Sequence, residues 1–239
     1  LSSYTTEPCS TIFQTIIQKA TAYDAADRYE TVRLFKEALE QDLKTACPSV
    51  SHLTIKNISV FGSKPGIGTT HIAIALASTL TANGYPAVYT ERNGNNHLRS
   101  MLQEHPAVKE QNGICYYKYF RGIPDYGQGI EPPDSGDAIY VKDFGVYQKD
   151  IIELGPENFN LFILSGSPWD LAQTISTGLE LSRLGNTAFI CNYNNQSSAK
   201  KLAGKLGCKV YCFPFDGDAF TCTETKTDLF FHVLSFERG

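Results

Sequence analysis

No apolar run in the 239 residues approaches the roughly 18–20 that a membrane-spanning helix needs. The first residues do not read as a secretory signal. Clustered positive charge is also missing. Lys and Arg number 21 against 25 Asp and Glu, for a net charge of −4, and they are scattered. That argues against a broad nucleic-acid surface, and no direct nucleic-acid partner is expected. The seven cysteines, Cys9, Cys47, Cys115, Cys191, Cys208, Cys212 and Cys222, show no C-x-x-C spacing. Cys208 and Cys212 have no nearby histidine to complete a metal site, so buried, reduced thiols in a cytoplasmic protein are the expectation. Trp169 is the single tryptophan, expected to pack rather than bind. Neither an internal repeat nor a low-complexity tract is present.

What the chain does have is a 42% hydrophobic composition and alternating strand-like and helix-like segments. These predict an α/β domain with a mainly parallel sheet and helices on both faces. The most informative stretch is Ile58-Ser-Val-Phe-Gly62-Ser63-Lys64-Pro65-Gly66-Ile67-Gly68-Thr69-Thr70-His71. Residues 58–61 read as a buried strand, and residues 72–80 as an apolar, alanine-rich helix. A strand, a glycine-rich turn and a helix N-terminus together make an anion site, because the first amides of the helix lack partners and the peptide dipoles add there. Gly66 and Gly68 would let the backbone approach a phosphate closely. The alternative is a tight turn with glycines for packing alone. A standard P-loop needs glycine where Ser63 stands and lysine where Thr69 stands.

The stretch resembles the deviant Walker A motif, K-G-G-x-G-K-T-T, of the ParA/MinD family of P-loop ATPases. Within that family it is most similar in style to the TadZ/CpaE-like pilus-assembly localisation branch. Lys64 falls on the early signature lysine, Gly66 and Gly68 on the glycines, and Thr70 on the magnesium-binding hydroxyl. Pro65, Thr69 and His71 replace a glycine, a lysine and a threonine. The resemblance implies a three-layer α/β/α fold that binds ATP or ADP with Mg²⁺. It also implies a nucleotide sandwich dimer that the Lys64 equivalent reaches across. Losing one lysine–phosphate contact costs about 1.5–3 kcal/mol, so binding is expected to survive and turnover to be slow.

The resemblance extends over residues 54–236 through further motifs. Residues 87–91 read as a second strand, ending where the family has V-D-x-D. Only Glu91 remains there, a candidate for polarising water or for orienting the loop, or else an exposed strand-end carboxylate. Residues 138–143 read as a strand ending in Asp143 near Gly145, similar to the Walker B region, with Asp143 placed to serve Mg²⁺. Asn192 ends a strand over 187–192 where relatives place an adenine-contacting Asn. Pro214, in a P-[FY]-D ending, is expected near the base. The implied catalytic set is Lys64, Glu91 and Asp143. The implied nucleotide set is Lys64, Gly66, Ile67, Gly68, Thr69, Thr70, His71, Asn192 and Pro214, with Thr70 and Asp143 on the metal.

The remaining segments are read more coarsely. Residues 1–50 form an N-terminal helical extension or linker, with apolar stripes at Ile12, Phe13, Ile16, Ile17 and Ala20 and at Val32, Phe35, Leu39 and Leu43. In TadZ-like proteins a receiver-like domain precedes the ATPase domain, so a missing upstream domain is expected, with residues 51–239 as the P-loop domain. Residues 98–102 begin a helix and 114–120 read as one strand. Residues 121–136 form a loop, and 229–236 a closing helix that packs on the core rather than on a membrane. The function expected is a nucleotide-dependent localisation or assembly factor, cytoplasmic, recruited to the inner membrane face or cell pole by partners of a localisation or secretion/pilus machinery. Two alternatives stay open: an active ATPase relying on Lys64, and an interaction scaffold that binds no nucleotide. A Rossmann-type enzyme is disfavoured because G-x-G-x-x-G is absent.

Overall fold

The computed structural model describes residues 11–46, 55–127, 136–149, 157–184 and 186–236, and the backbone alone of residues 11–14 and 40–46. The chain divides into two units, residues 1–52 and residues 53–238. The first holds α1 (Thr11–Ala20), a 3-10 turn (Ala25–Asp27) and α2 (Val32–Ala46). Ile16 is buried as the apolar stripe requires, while Ile17 and Val32, from the same predicted stripes, are exposed. Asp24 makes no side-chain cap. Thr31 supplies one for α2, its hydroxyl accepting from the Leu34 N–H at 3.2 Å. The predicted hinge over residues 48–52, and Cys9 and Cys47, lie outside the described residues.

The second unit is a nine-stranded sheet in the order β3-β4-β5-β2-β6-β1-β7-β8-β9. The strands are β1 (Asn57–Gly62), β2 (Ala87–Glu91), β3 (Lys109–Gln111), β4 (Ile114–Tyr117), β5 (Phe120–Ile123), β6 (Ile139–Val146), β7 (Asn158–Ser165), β8 (Thr187–Asn192) and β9 (Val210–Cys212). From β5 to β9 in that order the neighbours run parallel, and among the described strands β4 alone is reversed, pairing antiparallel with β3 and with β5. The helices are α3 (Thr69–Ala82), α4 (His97–Glu104), α5 (Leu171–Leu181), α6 (Gln196–Leu206) and α7 (Glu224–Leu234). Side chains alternate across each strand, so Ile58, Val60, Val141 and Ile163 pack with α3 and α7. Phe61, Phe162, Leu164 and Phe189 point the other way and pack against α5 and α6. Three layers result. The α3 helix is buried nearly all round, which explains its alanines and leucines and its nearly even distribution of hydrophobicity.

Several boundaries depart from the sequence expectation. The run over 114–120 is not one strand but a hairpin, broken at Lys118 where the backbone turns left-handed (φ 51°). A second hairpin precedes it at Asn112-Gly113, both at positive φ. The Asn-Gly pair is the signal that marks such a turn. The segment expected as loop from 121 begins inside β5, and residues 128–135 lie outside the described residues. The closing helix starts earlier than expected, at Glu224, because the Thr223 hydroxyl caps it through the Lys226 N–H. Its Phe230, Phe231, Val233 and Leu234 are buried, as core packing requires. Trp169 is 82% exposed and packs on nothing extensive. The thiols of Cys115 and Cys191 are buried and free, while Cys208, Cys212 and Cys222 are half-buried and free.

Candidate functional site

Parallel strands end together at their carboxyl edges, and the loops after β1, β2, β6, β7, β8 and β9 gather there. The loop after β1 is shaped by its neighbours. A Cβ on Gly62 would stand 2.2 Å from Thr69 Oγ1, so glycine is required where the loop doubles back on its helix. Gly66 (φ 72°) and Gly68 (φ 88°) take left-handed turns, and Gly68 delivers the chain into α3. The amides of Thr69, Thr70 and His71 head the helix, where no earlier carbonyl of the same helix reaches them. Gly68 has a second reason to be glycine. Its missing Cβ would meet Asn192 Nδ2 at 2.4 Å and the Tyr193 hydroxyl at 3.1 Å.

Asp143 sits on β6 in register with Val60 of β1 and Glu91 of β2, and it is fully buried. Its Oδ2 accepts from the Thr70 hydroxyl at 2.6 Å, the Tyr89 hydroxyl at 2.9 Å and Asn93 Nδ2 at 2.7 Å. Its Oδ1 accepts from the Gly145 N–H at 2.9 Å. Burial, and then the nearby Asp143 and Glu91 carboxylates, push the Tyr89 phenol well above its ordinary range, so Tyr89 stays a donor. The two metal candidates, Thr70 and Asp143, are thus brought into direct contact. Tyr89 and Asn93 were not singled out by sequence, although Asn93 opens an Asn-Gly turn.

Glu91 is also fully buried, but it faces another task. Its Oε1 accepts from the His97 N–H at 2.6 Å, at the head of α4, and Oε2 from the Asp125 N–H at 3.4 Å. Burial excludes the exposed strand-end carboxylate: Glu91 tethers the start of α4 and the strand exit after β5.

Lys64 forms an ion pair with Asp170, which also accepts from the Ser165 hydroxyl at 3.0 Å. The Lys64 ammonium, and with it Ser165, holds the Asp170 carboxyl below its usual range. A cavity of about 670 Å³ opens beside the loop, walled by Lys64, Gly66, Thr70, Asn93, His97 and Tyr193 among others.

A second cavity, about 490 Å³, lies on the other side of Tyr193 and is walled by His71, Asn192, Phe213, Pro214, Phe215 and Asp216 among others. Asn192 lines it, yet its side chain works inside the fold. Nδ2 donates to the Ile67 carbonyl at 2.8 Å and Oδ1 accepts from the Tyr193 N–H at 2.9 Å, which ties β8 to the loop. Ile67 is thereby held through its carbonyl, its side chain buried in the core. His71 stands edge-on to Phe213, and its Nε2 is buried with no hydrogen-bond partner among the described residues. Burial lowers the His71 pKa, with Asp216 opposing the fall, so the ring is favoured as neutral. Asp216 is paired with Lys226, a fully buried lysine that also donates to the Asp218 and Thr221 carbonyls at 2.7 and 2.6 Å. Burial resists the Asp216 charge, but Lys226 and the Asp218 amide hold its carboxyl below the ordinary value. At the rim, Phe215 is 95% exposed and Tyr193 is 65% exposed, the latter at φ 54°. Left-handed backbone at an aromatic residue costs about 1–3 kcal/mol and marks sites worth inspecting. Phe215 is the aromatic of the P-[FY]-D ending that the sequence placed near the base, whereas nothing in the sequence pointed to Tyr193.

No known family profile and no curated protein matches the chain. Among solved structures, it is similar to a ParA family ATPase from Chlorobium tepidum TLS, at 15% identity and TM-score 0.43, over 77% of this chain and 94% of that one. It is also similar to the MinC:MinD cell division protein complex of Aquifex aeolicus, at 13% identity and TM-score 0.47, over 75% and 94%. A third similar structure is the MinD cell division protein of Aquifex aeolicus, at 13% and 0.46, over 75% and 95%. Among the described residues no helix is long and apolar enough to cross a membrane.

Proposed function

We propose that this protein binds a nucleoside triphosphate, ATP in the first instance, and uses it as a conformational ligand in localisation or assembly, with slow turnover. The single observation that carries the reading is Thr70 donating to the buried Asp143 at 2.6 Å, directly beneath a left-handed glycine turn at a helix N-terminus. The residues fit a magnesium–phosphate group. The Thr70 hydroxyl and the Asp143 carboxylate would hold the metal, and the amides of residues 68–71 would face the phosphates. Magnesium, when bound, would neutralise phosphate charge. The 490 Å³ cavity would take the base, with Pro214 and the Asn192 edge of β8 in its wall.

Thr69 cannot supply the charge of the lysine it replaces, which is why turnover is slow in this reading. Lys64 is held by Asp170 and would have to leave that pair to reach a phosphate. In the TadZ/CpaE-like version of this proposal a second copy of the chain docks over the nucleotide, and partners carry the assembly to the membrane face or cell pole from the cytoplasm. Division of the chain into a helical extension over 1–50 and a nucleotide domain over 51–239 belongs to the same proposal.

A scaffold that binds no nucleotide is favoured by one observation: Gly68 is already explained by the crowding of Asn192 and Tyr193. Titration calorimetry with ATP and Mg²⁺ separates the two. Micromolar binding is expected, weakened roughly tenfold or more in Lys64→Ala, the size of one charge-assisted contact. Silence at millimolar ATP sinks the nucleotide reading and leaves the scaffold.

A further inference from the structure

This inference rests on the nucleotide reading above and asks where its slow turnover would arise. Hydrolysis is accelerated by a group that takes a proton from the attacking water. Glu91, where the resemblance would put it, has both oxygens on backbone amides. Asp143 has its two oxygens taken by four donors. Among the described residues walling the 670 Å³ cavity, those with titratable side chains are Lys64, His97 and Tyr193. Lys64 is a cation already paired with Asp170, and Tyr193 is a phenol, a donor rather than a base. His97 remains. It is the first residue of α4, its N–H pinned by Glu91 Oε1 at 2.6 Å. Its Nδ1 lies 3.9 Å from that same oxygen, leaving Nε2 as the ring nitrogen that does not face Glu91. At that distance the ring makes no hydrogen bond to Glu91, but an imidazole that borders the cavity has the chemistry of a general base near neutral pH.

We propose that His97 is the general base of a nucleoside triphosphate hydrolysis in this cavity, with Glu91, which holds the His97 N–H at the head of α4, as the positioning residue. The water oxygen forms a bond to the terminal phosphorus as the bond from that phosphorus to the bridging oxygen breaks. The electron pair of the broken bond stays with the nucleoside diphosphate, the water proton passes to His97 Nε2, and inorganic phosphate is released. His97 later returns the proton to solvent. No other chain is needed for this proton transfer.

The experiment compares the protein with its His97→Ala variant by three readouts: ATP affinity by calorimetry, phosphate release with ATP and Mg²⁺, and phosphate release with imidazole added. ATP affinity is expected to stay within about twofold. Turnover is expected to fall roughly a hundredfold or more, the ordinary worth of a general base, and added imidazole is expected to restore part of it. Unchanged turnover in the variant overturns the proposal. So does a loss that imidazole cannot restore, since a missing proton acceptor is what added imidazole replaces. A parent protein that binds ATP and releases no phosphate overturns the proposal while the binding reading stands. Absent ATP binding overturns both.

Discussion

The two sides of the α3 N-terminus are built on opposite plans. On the Thr70 side, a buried carboxylate receives four donors from β2, the loop after it, α3 and β6 itself. On the His71 side, a buried ring nitrogen has no partner among the described residues and two aromatic side chains stand in solvent. Leaving a buried polar group unmet costs about 1–3 kcal/mol, so folding alone favours the first plan. The second plan persists where hydrogen-bonding capacity is kept for something that binds. One half of the site is therefore held by the fold, and under the proposed function the other would receive the base.

The largest effect should come from breaking the first half. Asp143→Ala strands the buried Tyr89 hydroxyl and frees the Asn93 turn, for a loss of about 3 kcal/mol or more from two orphaned donors. At about 2–4 °C per kcal/mol for a chain of this size, the melting temperature should fall by roughly 6–12 °C. Phe215→Ala should leave the melting temperature within about 1 °C, because Phe215 is almost wholly exposed, yet weaken ATP binding by roughly fivefold if the cavity takes a base. Two melting curves and two titrations decide the matter. Equal melting shifts for the two variants would erase the contrast.

A smaller effect separates the two glycines that bridge these halves. Gly68→Ala forces Asn192 off the Ile67 carbonyl as well as straining the backbone, whereas a Cβ on Gly66 meets nothing within 4 Å. Gly66→Ala should cost only the left-handed strain, about 1–2 kcal/mol. Gly68→Ala should cost visibly more in a urea midpoint. If both shift the midpoint equally, the packing against Asn192 is not what fixes Gly68.

This pair also shows what was legible in the sequence. The α/β fold class and the β1–loop–α3 unit could be read, because local periodicity and a glycine-rich turn encode them. The use of Asn192 could not. Its position at a strand end was correct, but whether its amide faces a ligand or the Ile67 carbonyl depends on a contact 125 residues away in sequence. Glu91 was located for the same reason, and its role turned on the path of residues 97 and 125. The split of residues 114–120 into a hairpin was missed because Lys118 is not a residue that advertises positive φ. Helix α6 went unread although Asn195 caps it and Gly207 ends it, both ordinary signals.

The smallest expected effect concerns the loop that carries Phe215 and Asp216. Asp218 accepts from the Thr221 hydroxyl at 2.5 Å, from Lys118 at the β4–β5 turn at 3.0 Å and from the Phe220 N–H at 2.9 Å. Thr221 first, then Lys118 and the Phe220 amide, hold its carboxyl down at about 2, below an ordinary value of 3.8. A carboxyl depressed in the folded state stabilises above the unfolded value and loses that contribution as protons return. The stabilisation is therefore present above about pH 4 and lost as the pH falls through about 2. Asp218 is half exposed, so screening keeps the effect small. Melting curves of the protein and of Asp218→Asn should differ by a few degrees at most at pH 6, and the gap should close toward pH 2. A gap that holds across this range would mean that Asp218 ties the loop by hydrogen bonds that do not depend on its charge. The open half of the site would then owe its wall to Lys226 and Asp216 instead.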